Sequence, residues 1–179
     1  ECARMNIKIT PPDINSSRSN YVITGDRQIA TGLISVKGVG DKALPQLLDA
    51  QPFKNLEDFF YRTTGRVINK KVIQSLAKAG AFESLGRTRK DVYDNYEKYR
   101  IKVNAEIKSE KSLDQIKLPR YDEEWNRKEL LLGEREILGR TVSGSLHEIF
   151  TDFFRANSSV TPLRMVKNLE PGDRIKIEV

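Results

Sequence analysis

Residues 35–43 read Ser-Val-Lys-Gly-Val-Gly-Asp-Lys-Ala, and the glycines at 38 and 40 limit what this stretch can be. One glycine is enough for an exposed turn. Two, parted by a single valine and followed by a helical pattern, imply a tight reversal and a spot where a side chain would stand in the way of another backbone. Gly38 can take the positive φ that turns one helix sharply toward the next. Gly40 leaves the N–H groups at the following helix start uncovered, where unpaired donors and the helix dipole form an anion site. Lys37 and Lys42 add charge without reading bases. A partial echo lies about forty residues on, at Lys78-Ala79-Gly80-Ala81-Phe82, as expected of a duplicated helix–turn–helix unit. There Phe82 stands in place of the second glycine. An ordinary loop is the alternative reading of either glycine turn taken alone.

The rest of the pattern is mostly helical. After Asp41, which can cap, Ala43, Leu44, Leu47 and Leu48 share a face, with Pro45 placed in the first turn, where its missing N–H has no helical partner. Asn55 caps a second helix, with Asp58 in the capping-box position, and Asn69 caps a third carrying Val72, Ile73, Leu76 and Ala77. Thr88 caps a fourth, with Asp91 three residues on. Residues 6–9, 21–24 and 28–31 are β-prone, the last two flanking Gly25-Asp26 as in a small hairpin. Residues 100–122 are charged and poor in aromatics, the second half reading as linker. Residues 123–140 form a further helix with Trp125, Leu131, Leu132, Ile137 and Leu138 as its apolar residues, although Gly133 inside it costs about 1 kcal/mol relative to alanine. A turn and a short amphipathic helix follow at 143–154. Pro171-Gly172-Asp173 then turns into a closing strand.

Composition narrows the partners. The chain has 179 residues, 31 Lys and Arg against 25 Asp and Glu, and a formal charge of +6, which favours polyanions: nucleic acid or an anionic membrane face. A lone cysteine, Cys2, and a lone histidine, His147, exclude a disulfide framework and argue against structural zinc. No apolar run approaches the ~18 residues of a membrane span, and no signal peptide is visible, which points to the cytoplasm. The chain starts Glu-Cys-Ala rather than with Met and ends in an unpaired alternating strand; both ends are expected to be cuts through a larger protein.

Val36-Lys37-Gly38-Val39-Gly40 resembles the helix-hairpin-helix DNA-binding motif, apolar-x-Gly-apolar-Gly. The order of segments is more specific. ECARMNIKITPPDINSS, ATGLISVKGVG, PFKNLEDFFYR, INKKVIQSLAKAGAFESLG and EREILGRTVSG, closed by a β-prone stretch, together resemble the bacterial-type (family C) replicative DNA polymerases, the DNA polymerase III alpha subunits. The family pattern continues His-Pro-Leu after the Ser-Gly; here Ser143-Gly144 is followed by Ser145-Leu146-His147, which implies a divergent member, bacterial or phage.

The resemblance implies a mainly α fold: a tandem helix-hairpin-helix domain with a small N-terminal β element and a C-terminal helical connector ending in an OB-type strand. The expected divisions are 1–31, the end of a fingers region; 32–99, the DNA-binding domain; 100–122, a charged linker; 123–157, a connector; and 158–179, the start of an OB domain. It implies backbone contacts to double-stranded DNA from Lys37, Gly38, Val39, Gly40 and Lys42, and from Lys78, Gly80 and Ala81 of the second copy. Lys70 and Lys71 are further phosphate candidates, with a solvated helix start as the alternative. The rest of the polymerase chain is an implied partner. The family also carries a sliding-clamp peptide, usually Gln-Leu-x-Leu-Phe, and Gln115, Ile116 and Leu118 take its spacing without the final aromatic; a plain linker is the alternative there.

Nucleotidyl transfer needs carboxylates that hold two metal ions. No Asp-x-Asp pair in a strand context is present. The acids at 122–124 and 170–173 and on the helices read as solvated faces, and His147 as a surface or packing histidine. No catalytic or metal residue is expected in this segment, and the Mg2+ of the family would belong to the parent polymerase. Two other classes remain open: a free-standing repair or recombination protein with the same paired motif, and a protein-interaction module.

Overall fold

The computed structural model describes residues 2, 4–63, 65–146 and 149. Most of the expected helix after Ser145, including His147, and the closing OB-type strand with its turn at Pro171-Gly172-Asp173 lie outside these residues.

The described chain is mainly helical, with a small sheet at its N-terminal end. Strand β2 (Val22–Gly25) turns back antiparallel onto β3 (Gln28–Ala30), as the Gly25-Asp26 pattern predicts. Strand β1 (Lys8–Thr10) pairs with the other edge of β3, in parallel, Ile9 opposite Ile29. The prolines at 11 and 12 end β1, and the loop beyond is drawn into the helical core. Ile14 is fully buried and donates its N–H to the Ala81 carbonyl (2.8 Å), while Asn15 holds both backbone groups of Phe53, accepting its N–H at 2.7 Å and donating to its carbonyl at 2.8 Å.

Five helices follow: α1 (Ala43–Ala50), α2 (Leu56–Arg62), α3 (Lys70–Lys78), α4 (Arg89–Lys108) and α5 (Arg127–Leu138). Three of the four side-chain caps expected from the sequence form. Asn55, Asn69 and Thr88 accept the N–H groups of Asp58, Val72 and Asp91. The capping box of α2 is displaced by one residue: Asp58 accepts the N–H of Lys54 (2.8 Å) rather than that of Asn55, while pairing with Arg62. Asp41 does not cap α1. Lys42 occupies the cap position and no side chain bonds there; Pro45 lies in the first turn as expected. The element before the first hairpin is not a helix but one 3-10 turn, Leu33–Ser35.

The core is aromatic at its centre. Phe59 meets Phe53, Phe60 and Phe82 edge to face at 5.2, 5.3 and 4.9 Å, and Phe60 meets Tyr99 at 6.0 Å. Such pairs add to the area they bury. Phe82, the residue that replaces the second glycine of the echo, is therefore a central packing residue.

Two expectations change in the middle of the chain. The boundary at 99/100 falls inside α4, which continues to Lys108 because Val92, Tyr96, Tyr99 and Val103 keep one buried stripe running past it. The segment after α4 is a packed strap. Ile116 and Leu118 are buried at 1% and 8% exposure, Leu118 donates its N–H to the Glu57 carboxylate (2.9 Å), and the Pro119 carbonyl accepts from Arg87 (2.6 Å). Gln115 closes a 3-10 turn and accepts from the Ser112 N–H. Ile116 and Leu118, two of the three residues with the clamp-peptide spacing, are thus packed into the domain's own core. The strap ends at Glu124, whose carboxylate accepts the first N–H groups of α4, from Arg89 (2.7 Å) and Lys90 (3.0 Å).

Candidate nucleic-acid interface

The first hairpin is a turn from Val36 to Val39, closed by the Val39 N–H to the Val36 carbonyl (2.9 Å). Gly38 is its third residue with φ +100°, a conformation that L side chains rarely adopt. Val39 points inward at 4% exposure and anchors the turn to the core. Gly40 is exposed, and a Cβ built there would meet nothing within 4 Å. Its carbonyl accepts the N–H groups of Ala43 and Leu44, both at 2.9 Å, which starts α1. The N–H groups of Gly40, Asp41 and Lys42 have no partner among the described residues. The open ground at Gly40 is what a ligand approaching the backbone requires.

The fold brings the start of α3 beside this turn. A Cβ at Gly38 would lie 3.4 Å from Ser75 Oγ and 3.5 Å from Lys71 Cγ. Lys37, Lys70, Lys71 and Lys78 line one open cleft of ≈ 640 Å³, together with Asn69, Gln74, Ser75, Tyr93 and the Glu136–Ile137 end of α5. Four of the lysines picked from sequence therefore converge. Lys37, Lys42, Lys70 and Lys71 are exposed and have no carboxylate partner among the described residues. Lys70 sits 5.8 Å from the Tyr96 ring. Lys78 is different, paired with Glu136 at 2.7 Å and 5.3 Å from the Tyr93 ring. Lys70 and Lys71 form the first turn of α3 with no acid beside them. Cations there oppose the helix dipole, each at a cost of about 0.3–1 kcal/mol. A bound anion would reverse the sign of that term.

The second hairpin is built for packing. Gly80 has φ +84°, and a Cβ there would come within 2.7 Å of the Arg89 guanidinium. Ala81 is buried; its N–H donates to the Leu76 carbonyl and its own carbonyl accepts from Ile14. Ala81 thus has no backbone N–H left for a phosphate, and Gly80 makes room for an arginine.

That arginine belongs to a network the sequence does not announce. Arg89, nearly fully buried, donates to Glu83 (2.7 Å), to the Lys78 carbonyl (3.2 Å) and to Glu134 (2.8 Å). Glu134, with no exposed surface, also accepts the N–H groups of Val142 (2.7 Å) and Ser143 (3.0 Å). Burial alone would raise its pKa; the bonds from Ser143, Val142 and Arg89 outweigh burial and hold the carboxyl below its ordinary range. The network fixes α5 against α3 and so shapes the far wall of the cleft. The Lys37 N–H, in the first hairpin, completes that wall by donating to the Ile137 carbonyl (3.1 Å).

Among the described residues no three His, Cys, Asp or Glu side chains are grouped so as to hold a metal ion. No helix among them is long and apolar enough to cross a membrane.

A glycine turn that lays free N–H groups beside a lysine-lined cleft defines a class, and residues 6–92 match the family model of the helix-hairpin-helix motif. The particular relatives are DNA polymerase III alpha subunits. The one from Aquifex aeolicus (strain VF5) is 36% identical over 141 residues, covering 76% of this chain and 12% of the relative. That of Campylobacter jejuni is 35% identical over an alignment of 196 residues, 99% of this chain and 16% of the relative, and that of Saccharopolyspora erythraea 33% over 168 residues, 80% and 14%. The chain matches the helix-hairpin-helix segment of the DNA polymerase III alpha subunit and spans 12–16% of the length of these relatives.

Proposed function

We propose that this chain is the duplex-binding segment of a family C replicative polymerase and grips the DNA backbone without regard to sequence. The observation that carries the reading is the convergence of Lys37, Lys70 and Lys71 on the cleft beside Gly38, next to the uncovered N–H groups at Gly40–Lys42. These groups suit phosphates: N–H donors and ammonium ions meet phosphate oxygens and carry no code for base edges. The first hairpin is the gripping element. The second supports it, since Gly80 and Ala81 are engaged within the protein. Nucleotidyl transfer, and the Mg2+ it requires, would reside elsewhere in the parent polymerase, and the setting is the replication machinery of the cytoplasm.

The test is fluorescence anisotropy of short labelled duplexes of unrelated sequence, titrated with the 179-residue chain from roughly 50 to 200 mM salt. The duplexes should bind alike. With one phosphate met by each of the four free lysines, log K should fall against log salt with a slope of about −3.5. A lack of binding, or affinity indifferent to salt, would refute the reading.

A further inference from the structure

Beside the lysine cleft lies a second hollow, of ≈ 310 Å³, lined by Lys78, Tyr93, Trp125, Glu129, Leu132, Gly133 and Glu136. Lys78, Tyr93 and Glu136 also line the first cleft, so the two hollows run into one another. Their chemistry differs. The first is edged by unpaired ammonium groups. In the second, the one cation, Lys78, is already paired with Glu136, and two carboxylates face the space. Negative charge repels a phosphate from this hollow. Its remaining walls are ring and aliphatic surface: Tyr93 and Trp125 meet edge to face at 5.1 Å, each only partly buried, and Leu132 is 42% exposed.

Aromatic surface, carboxylate acceptors and an adjoining phosphate track are together the chemistry of a nucleobase site. Bases stack on aromatic rings, and their amino edges donate to carboxylates. We infer that the Tyr93–Trp125 hollow receives an unpaired base of the DNA whose duplex lies along the lysine cleft. The inference rests on the duplex reading above and adds a preference for a junction between duplex and single strand. Glu136 and the half of Glu129 not engaged in its own helix cap, where it accepts the Asn126 N–H, are the acceptors offered to the base edge.

Trp125 is the only tryptophan in the chain, so its fluorescence reports the hollow alone. The 179-residue chain is titrated with three probes: a blunt duplex, the same duplex with a short cytidine overhang, and one with an abasic overhang that keeps the phosphates. The cytidine overhang should quench Trp125 and bind about 5- to 150-fold more tightly than the abasic one, the range for a base stacked on an aromatic ring. Trp125→Ala should remove that difference and leave blunt-duplex affinity unchanged. Equal binding of the cytidine and abasic overhangs, with unaltered fluorescence, overturns the base site while the blunt-duplex result still upholds the grip. Absence of blunt-duplex binding overturns the grip, and the base site with it. The comparison of overhangs in the parent chain involves no substitution, so a folding defect in the variant cannot decide it.

Discussion

Gly38 and Gly40 are two residues apart and should fail in opposite ways. At Gly38, φ of +100° is one that L side chains rarely adopt, while an added Cβ would make only ordinary contact with Ser75 and Lys71 at 3.4–3.5 Å. Gly38→Ala should cost about 1–3 kcal/mol of stability, mostly backbone strain. For a chain of this length that lowers Tm by roughly 2–4 °C per kcal/mol. At Gly40 the same substituent meets nothing within 4 Å. Gly40→Val should therefore stay within about 0.5 kcal/mol of the parent in urea denaturation. Its side chain would nonetheless stand over the free N–H groups of Gly40, Asp41 and Lys42. A hydrogen bond to a charged group contributes about 1.5–3 kcal/mol, so losing one should weaken duplex binding about tenfold or more. The assay pairs urea titration with anisotropy on both variants. If Gly40→Val binds duplex as well as the parent does, the open ground at Gly40 is not where phosphate approaches, and the argument for the hairpin fails.

Three further outcomes follow from other parts of the structure. Leu118→Ala should lose about 2–5 kcal/mol in urea denaturation, the cost of a cavity in a core; unchanged stability would show that the strap is not packed. Lys71→Ala should reduce the salt slope of duplex binding by about one and leave stability level or slightly higher, since it removes a cation from the start of α3. The Glu134 carboxyl titrates below its unfolded value, so its stabilising contribution is complete above the ordinary carboxylate range and is lost as pH falls through the folded value. Glu134→Gln should cost about 3 kcal/mol at neutral pH, the low end for a broken buried pair because Arg89 keeps Glu83. Its stability should also decline less than the parent's below about pH 4, measured by denaturation at a series of pH values.

What sequence could and could not reveal follows the range of each interaction. Asn55, Asn69 and Thr88 cap helices through bonds that span three residues, so a local pattern suffices to find them. The glycine turn and its lysines were legible for the same reason. Residues 100–108 misled because a charge-rich stretch looks like linker, whereas the deciding signal was a stripe that Tyr96, Tyr99 and Val103 carried across the boundary. Ile116 and Leu118 are two apolar residues in a polar segment, and nothing near them in sequence says that Glu57 and Arg87 await them. Arg89 and Glu134 lie 45 positions apart, and each alone reads as a solvated helix charge. Gly80 shows the limit most directly. Its resemblance to a phosphate-binding glycine is real in sequence, but the space it vacates is taken by the side chain of Arg89.

The hydrogen bond from the Lys37 N–H to the Ile137 carbonyl joins the first hairpin to the last turn of α5, bypassing the aromatic core. Mechanically it is a tie rod. Tension or twist applied to the polypeptide at the C-terminal end of α5 reaches the hairpin through this peptide-to-peptide link as well as through the packing of α5 on α3. On the duplex reading proposed above, a change in the orientation of α5 would be felt at the gripping turn, and a change at the turn would be felt at α5.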